Sequence, residues 1–452
     1  MRKTKAIIVA VMLTAVVFPA MAADGCEDIY RNPVIPRSAP DPTVIRAQDG
    51  YFYLYSTEDV HNVPIYKSKD LVQWAFVGTA FTDESRPKWN PNGNIWAPDI
   101  NYINGKYVLY YSKSEWGGIH TCGIGVATAD RPEGPFTDHG NLFISKDIGV
   151  TNSIDQFYIE ERGHKYLFWG SFFGIYGIEL SADGLSLLTD AKPRQIAGTF
   201  MEGTYIHKRG DYYYLFGSSG TCCEGAQSTY HITYGRSENL FGPYVDKQGR
   251  PLLENHFEVL IHGNEQVAGP GHNAEFVTDD SGADWILYHG FKRADAHAGR
   301  LVWLDRVEWI DGWPHVAGNQ PSEVGKKPLL NAINLADPTI FAENGTYYLY
   351  GTSMTDGFKV YISKDLKTWE VPAGATDGLA LRRGEAFGTQ GFWAPQVFKR
   401  GNRYYMYYTA NEQLAVAEAQ NPLGPFKQKK LAALPAKVKE IDPFVFFDDD
   451  GK

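Results

Sequence analysis

The sequence predicts an all-β chain: a five-bladed β-propeller followed by a second, incomplete β-propeller. Three observations carry this expectation. First, one local pattern recurs: a turn, an aromatic strand, then Ser, Gly or Thr. It stands at Tyr51–Tyr55, Tyr107–Tyr111, Tyr166–Trp169, Tyr212–Phe216 and Trp285–Tyr288. Its starts lie 56, 59, 46 and 73 residues apart, close to the period of a propeller blade. Second, no stretch between them has a long, capped helical period. Third, 46 Gly, 25 Pro and 14% aromatic residues in 452 fit many short strands joined by tight turns. A two-sheet sandwich with aromatic strands is the alternative architecture.

Residues 1–22 read as a secretory signal. Arg2, Lys3 and Lys5 precede the apolar run Ala6 to Phe18, and Ala20-Met21-Ala22 fits a small-x-small cleavage site. The run is too short to span a bilayer comfortably, and no other stretch reads as a membrane span. Export to the periplasm or the exterior of a bacterium follows as an expectation. The four cysteines, Cys26, Cys122, Cys222 and Cys223, allow three pairings and have no metal-ligand spacing. Neighbours such as Cys222 and Cys223 rarely bond each other.

Residues 23–317 hold the five repeats. Ala39-Pro40-Asp41-Pro42-Thr43 opens the first on a backbone stiffened by two prolines. Trp96-Ala97-Pro98-Asp99 opens the second, Thr151-Asn152-Ser153-Ile154-Asp155 the third and Phe200-Met201-Glu202-Gly203-Thr204 the fourth. Gly134-Pro135-Phe136 and Gly242-Pro243-Tyr244 close the second and fourth, and residues 299–314 read as a last hairpin. Residues 318–328 form a polar linker. In 329–452 the landmarks return in order. Asp337 answers Asp41, Trp369 answers Trp74, Trp393-Ala394-Pro395 answers Trp96-Ala97-Pro98, Gly424-Pro425-Phe426 answers Gly134-Pro135-Phe136, and Asp442 answers Asp155. The offsets of 287 to 297 residues describe a duplicated domain whose second copy reaches about two blades and the start of a third.

The net charge of −10, with no basic run, excludes a polyanionic partner such as nucleic acid. An acidic, aromatic-rich surface suits a neutral polar ligand such as a sugar, whose C–H faces pack on rings while its hydroxyls hydrogen-bond. In a propeller the innermost strands converge on the axis, so Asp41, Asp155 and Glu202 can share one cavity. Three carboxylates there repel, and at least one proton is retained at neutral pH. Glycoside hydrolysis needs such a set: a protonated acid for the leaving oxygen and an ionised carboxylate as base or nucleophile. Each of the three, taken alone, could equally be a turn or capping acid.

Together with Trp96-Ala97-Pro98-Asp99, this set resembles glycoside hydrolase family 43, five-bladed propellers acting on arabinan, xylan and related plant cell-wall chains. Residues 110–118 and 124–128, 170–176, and Cys222-Cys223-Glu224-Gly225 with Ser228-Thr229-Tyr230 are similar to its arabinanase branch. The resemblance spans about residues 34 to 316. It implies Asp41 as general base, Glu202 as general acid and Asp155 as the residue that raises and orients the acid. It implies inversion at the anomeric carbon, with base and acid on the order of 6.5–9.5 Å apart. Asn152, Ser153, Trp116, Gly117 and Ser171 match sugar-contacting positions, Trp96 belongs to the pocket wall, and Arg300 is placed against the acid or the substrate. His272 matches an axial histidine beside a bound cation, often calcium; no organic cofactor is implied. A hydrogen-bonded core histidine is the other reading of His272. Gln156 and Thr204 depart from the family pattern without removing a carboxylate.

The second copy resembles the xylosidase and arabinofuranosidase branch. Asp337 and Asp442 match base and modulator, the acid is expected beyond Lys452, and this half is expected to be inactive. The function expected of the first copy is cleavage of α-L-arabinosyl linkages. A β-xylosidase, α-L-arabinofuranosidase or galactosidase on the same fold is the alternative, and a non-catalytic sugar-binding propeller is the alternative of another class.

Overall fold

The structure, a computed structural model, describes residues 29–330, 333, 335–352, 356–366 and 369–448. The signal expected over 1–22, and Cys26, lie outside the described residues. The chain divides into two compact units, Met1–Leu329 and Leu330–Lys452.

The described part of the first unit is a five-bladed β-propeller. The first blade is Thr43–Arg46, Phe52–Tyr55, Pro64–Ser68 and Trp74–Thr79; the second is Asn94–Ile103, Lys106–Ser114, Gly123–Ala129 and Thr137–Ile144. The third is Phe157–Glu161, His164–Trp169, Ile175–Glu179 and Arg194–Ala197; the fourth is Glu202–Arg209, Tyr212–Ser219, His231–Ser237 and Glu258–Ile261. The fifth runs Val267–Gly271, Asp284–Lys292, Arg300–Ile310 and Trp313–His315, with Val277–Thr278 as an extra strand on Asp284–Lys292. Every pairing is antiparallel, and the strands of each blade lie side by side in chain order.

The recurrent aromatic strand is the second strand of its blade. Blades pack against it on both faces, so Phe52–Tyr55 is buried at all four positions and Tyr107–Ser114 at all eight, without polar alternation. Tyr rather than Phe recurs because each buried hydroxyl reaches a partner. Tyr55 donates to the Pro132 carbonyl, Tyr110 to that of Gly184 at 2.8 Å, Tyr214 to that of Gly312 at 2.5 Å, and Tyr288 to the Asp305 carboxylate at 2.5 Å. One apolar cluster joins the first and second blades, another the second and third, and a third the last three.

Part of the stretch read from sequence as a linker belongs to the first unit. Val324–Lys326 pairs with Ile29–Arg31, in register Ile29 to Lys326. Asn32 donates to the carbonyls of Leu304 (2.8 Å) and Ser322 (2.9 Å) and accepts the Leu304 N–H at 2.9 Å. The physical reason is backbone accounting: an extended segment at the start of the unit has ladder groups to satisfy. Val324, Gly325 and Lys326, which pair with it, are too few and too exposed to carry a hydrophobic period, so their sequence reads as a connector.

The expectation for the neighbouring cysteines is also corrected: Cys222 and Cys223 form a disulfide, and Cys122 is a buried free thiol. The loop reverses tightly, with Thr229 and Tyr230 both donating backbone N–H groups to the Thr221 carbonyl (3.2 and 3.1 Å), which places the two side chains together at its tip.

In the second unit, Ala336–Glu343, Thr346–Thr352 and Tyr361–Ser363 form one sheet, and Trp393–Arg400, Arg403–Ala410 and Gln413–Ala419 another. Gly357–Lys359 pairs with Leu379–Arg382. The unit has its own aromatic and aliphatic core, with Tyr350, Phe358, Phe392, Met406, Tyr408 and Phe426 fully buried. Duplication is visible bond by bond. Thr57 Oγ donates to Asp41 and accepts the Ala97 N–H; Thr352 Oγ donates to Asp337 and accepts the Ala394 N–H. Ser112 Oγ accepts the Asp155 N–H, as Thr409 Oγ accepts that of Asp442.

If the pairing of 29–32 with 304 and 322–326 holds the first unit together, Asn32→Ala leaves the buried Leu304 N–H without its acceptor and takes one donor from each of the Leu304 and Ser322 carbonyls. We expect a loss of about 2 kcal/mol in the urea unfolding transition of that unit. An unchanged midpoint would show the pairing to be dispensable.

Candidate active site

The site is made by the way the blades' inner strands begin. Asp41 (φ 53°), Ala97 (40°), Asp155 (62°) and His272 (44°) all adopt the left-handed backbone region that side chains normally avoid. Each such residue costs about 1–3 kcal/mol and persists only where its surroundings over-determine it. Strand register breaks around Ala97 (between Trp96 and Asp99), after Glu202 (before Tyr205) and just before His272 (between Ala268 and Gly271). A bulge at the start of an inner strand re-aims the next side chain, here into the axial cleft. Gly203 (φ 67°) follows Glu202, and a Cβ there would crowd the His272 ring at 3.2 Å.

Asp41 is buried inside a clasp. Thr57 Oγ donates to its Oδ2 at 2.6 Å, Arg300 Nη1 to its Oδ1 at 3.1 Å, and His272 Nδ1 lies 3.2 Å from Oδ1. The backbone N–H of Asp41 is accepted by His289 Nδ1 at 3.1 Å. Burial opposes ionisation, but the Arg300 guanidinium and the His272 imidazolium hold this carboxyl well below the usual range. Asp41 is therefore an anion with nothing protonating it at neutral pH. Burial pushes His289 down to about 4, so its ring is neutral. With Nδ1 accepting a backbone N–H, the proton sits on Nε2, and the 3.2 Å approach of Nδ1 to Asp41 Oδ1 is a contact and not an ion pair.

Glu202 is held by two hydroxyls: Ser171 Oγ donates to Oε2 at 2.5 Å and Tyr230 Oη to Oε1 at 2.8 Å. Asp155 Oδ2 accepts the Gly203 N–H at 3.3 Å. Burial raises the pKa of Glu202, the Asp41 charge adds to it, and the two hydroxyls partly offset the rise. Asp155 is pushed up to about 8, first by burial, then by the charges of Glu202 and Asp41 acting against that of His272. Asp155 and Glu202 thus titrate as a pair that keeps a proton at pH 7. Against its own burial, His272 is pushed up to about 9 by Asp41, Asp155 and Glu202.

The carboxylates floor a cleft of about 660 Å³. Trp96, Trp116, Gly117, Asn152, Ser171 and Arg300, all expected from sequence, line it. Trp116 is 80% exposed and stands 5.7 Å from the Trp96 ring, an open aromatic wall. Asn152 Nδ2 donates to Ser171 Oγ at 2.9 Å and so steers the hydroxyl that holds Glu202. Ser153 does not reach the cleft: it is fully buried, donates to the Val150 carbonyl and accepts from Trp169 Nε1. Arg300 sits on Asp41, not on Glu202. Gln156 spans Ser112 Oγ (2.8 Å) and the Ala97 carbonyl (2.6 Å), bracing the left-handed Ala97.

His272 Nδ1 is engaged with Asp41. Calcium takes a shell of about six to eight oxygen donors, so beside this ring most of such a shell would have to be water. Among the described residues no group of three or more His, Cys, Asp or Glu side chains is arranged to hold a metal ion. Sequence reasoning missed Thr57, His289 and the role of Tyr230. His289 directly follows the fifth aromatic strand motif, and Tyr230 lies within the Ser228-Thr229-Tyr230 motif, but neither position signals which atom it will touch. The two rings stack, 5.7 Å apart and 13° from parallel, and link the base's backbone to the acid's carboxylate.

An ionised Asp41, a proton-holding Asp155–Glu202 pair and an aromatic-walled cleft on a five-bladed propeller are the parts that acid/base glycoside hydrolysis needs. The family model for glycosyl hydrolases family 43 matches residues 30–314 and 326–452, and the chain belongs to that family. It is 34% identical over 306 residues to an extracellular exo-α-(1→5)-L-arabinofuranosidase of Cellvibrio japonicus (strain Ueda107), covering 61% of this chain and 85% of that protein. It is 33% identical over 290 residues to an extracellular endo-α-(1→5)-L-arabinanase of Bacillus subtilis (strain 168), covering 61% and 86%. A solved Cellvibrio cellulosa α-L-arabinanase, in complex with arabinohexaose, superposes with a TM-score of 0.57 at 32% identity, over 62% of this chain and 96% of that one.

Because the Tyr230 hydroxyl stabilises the ionised form of Glu202, Tyr230→Phe raises the acid's pKa further. The alkaline limb of the kcat/KM–pH profile should move to higher pH, with kcat reduced by roughly tenfold from lost orientation. A profile that keeps its alkaline limb would remove Tyr230 from the acid's environment.

Proposed function

We propose that the first unit hydrolyses α-L-(1→5)-linked arabinosyl chains of plant cell-wall arabinan with inversion, and that the protein is exported. The observation that carries this is the split protonation of one carboxylate cluster: Asp41 is held ionised while Asp155 and Glu202 retain a proton. The names of the relatives supply the sugar, and the charged, apolar, small-residue order of residues 1–22 with their extracellular relatives supplies the compartment.

In this reading a water beside Asp41 loses its proton to the carboxylate as its oxygen attacks the anomeric carbon. Glu202 delivers a proton to the departing glycosidic oxygen, and Asp155 keeps that proton available at neutral pH. Arg300 and His272 prevent Asp41 from taking up a proton before the water is bound. Trp96 and Trp116 offer C–H stacking surfaces to sugar rings. Both exo- and endo-acting enzymes are among the relatives, and product length separates the two modes.

Wild-type protein incubated with linear arabinan should release arabinose or arabino-oligosaccharides, and xylan should yield far less. Glu202→Gln and Asp41→Asn should each lower kcat by about 10²- to 10⁴-fold without unfolding the protein. Binding of arabino-oligosaccharides with no turnover by the wild type would leave a sugar-binding propeller instead.

A further inference from the structure

The Cys222–Cys223 disulfide lies in the wall of the cleft, with Thr221 and Glu224 on either side of it in the chain. Cys223 is exposed and Cys222 half-buried. Bonding adjacent residues closes an eight-membered ring, so the two side chains lose their rotamer freedom and present no S–H group. What remains is a small, rigid face of polarisable, apolar atoms. An apolar face exposed in a cleft is a feature to be explained, because its chain neighbours Thr221 and Glu224 are polar.

The loop around it is built to hold that face still. The Thr221 N–H is accepted by Thr229 Oγ1 at 3.0 Å, the Glu224 N–H by Ser228 Oγ at 2.8 Å, and the Gln227 N–H by the Glu224 carbonyl at 3.1 Å. The Arg293 guanidinium donates to the Ala226 carbonyl from outside the loop. At Gly220 (φ 91°) a Cβ would meet the Thr229 carbonyl oxygen at 2.6 Å, so the two ends of the loop touch. The loop then runs directly into Tyr230, whose hydroxyl holds Glu202. The disulfide is thereby fixed relative to the acid.

We propose that the Cys222–Cys223 disulfide is a sugar-binding platform: the C–H face of an arabinosyl unit of the substrate, next to the scissile bond on the Glu202 side, packs on it. A surface ordered in advance binds a ring without an added entropic cost of immobilising side chains, which an open Leu or Met would incur. Trp96 and Trp116, from the second blade, give stacking surfaces elsewhere in the same cleft, so the chain of sugars is gripped from two blades. An oxidising compartment keeps such a bond intact, in keeping with export. The identity of the sugar rests on the arabinan reading above.

The test uses the full chain carrying Glu202→Gln, so that oligosaccharides bind without being cut. Alkylation of the unfolded protein without reductant should label neither Cys222 nor Cys223; labelling of both would overturn the proposal. Calorimetric titration with arabinotriose to arabinohexaose should give binding about fivefold weaker when Cys222→Ser and Cys223→Ser are added, from loss of one apolar contact face. Should that variant fold poorly, reduction of the folded Glu202→Gln protein by a phosphine should give the same loss. Unchanged affinity after verified reduction would show the disulfide to be structural only. Failure of the Glu202→Gln parent to bind any arabino-oligosaccharide would instead overturn the arabinan reading, and this one with it.

Discussion

The need to keep one carboxylate ionised out of bulk water organises the first unit. Asp41 is buried, and an isolated buried carboxylate would neutralise itself by taking a proton. Arg300 and His272 prevent this, but they bring two positive charges to face three carboxylates. A single proton on the Asp155–Glu202 pair makes the whole cluster neutral. The ionised Asp41 and the proton on the Asp155–Glu202 pair are therefore two consequences of one charge balance. The Asp155–Glu202 pair holds a proton because the cations that keep Asp41 ionised compensate only part of the negative charge.

That balance depends on backbone more than on side chains. The carboxylates reach the axis because inner strands start with a left-handed residue or a bulge, and the hydroxyls of Thr57 and Ser112 pin those starts. The second unit makes the point separately. It repeats the left-handed Asp337 (45°), Ala394 (42°) and Asp442 (58°), and the same hydroxyl bonds. Yet Asp337 is exposed, where Asp41 is clasped. The backbone device belongs to the architecture; the clasp that keeps Asp41 ionised is added to it by His272 and Arg300.

Much of this was legible in the sequence, for reasons that differ by feature. The aromatic strands could be read because a strand buried on both faces must be apolar throughout, and that leaves a period. Asp41, Asp155 and Glu202 could be read because each opens a blade and because the Asp41 and Asp155 phrases recur in the second copy. His289 could not: a neutral histidine accepting a backbone N–H 248 residues away has no local signature. Ser153 lies in the core although its neighbour Asn152 faces the cleft, because a one-residue difference turns a side chain from the cleft into the core. Residues 324–326 have the sequence of a linker because a short edge pairing needs no hydrophobic pattern. The Cys222–Cys223 bond depends on the loop's reversal, which the spacing of cysteines does not encode.

The strands Ile29–Arg31 and Val324–Lys326 lie side by side, so the chain leaves the first unit at the place where it entered. A gene segment encoding such a unit can be copied in tandem without rethreading either copy, because the join falls at one point on the rim. The repeated landmarks from Asp337 onward are the trace that such a copying event would leave. It also means that duplication and later divergence could act on the second unit's axis while the first unit's charge balance stayed untouched.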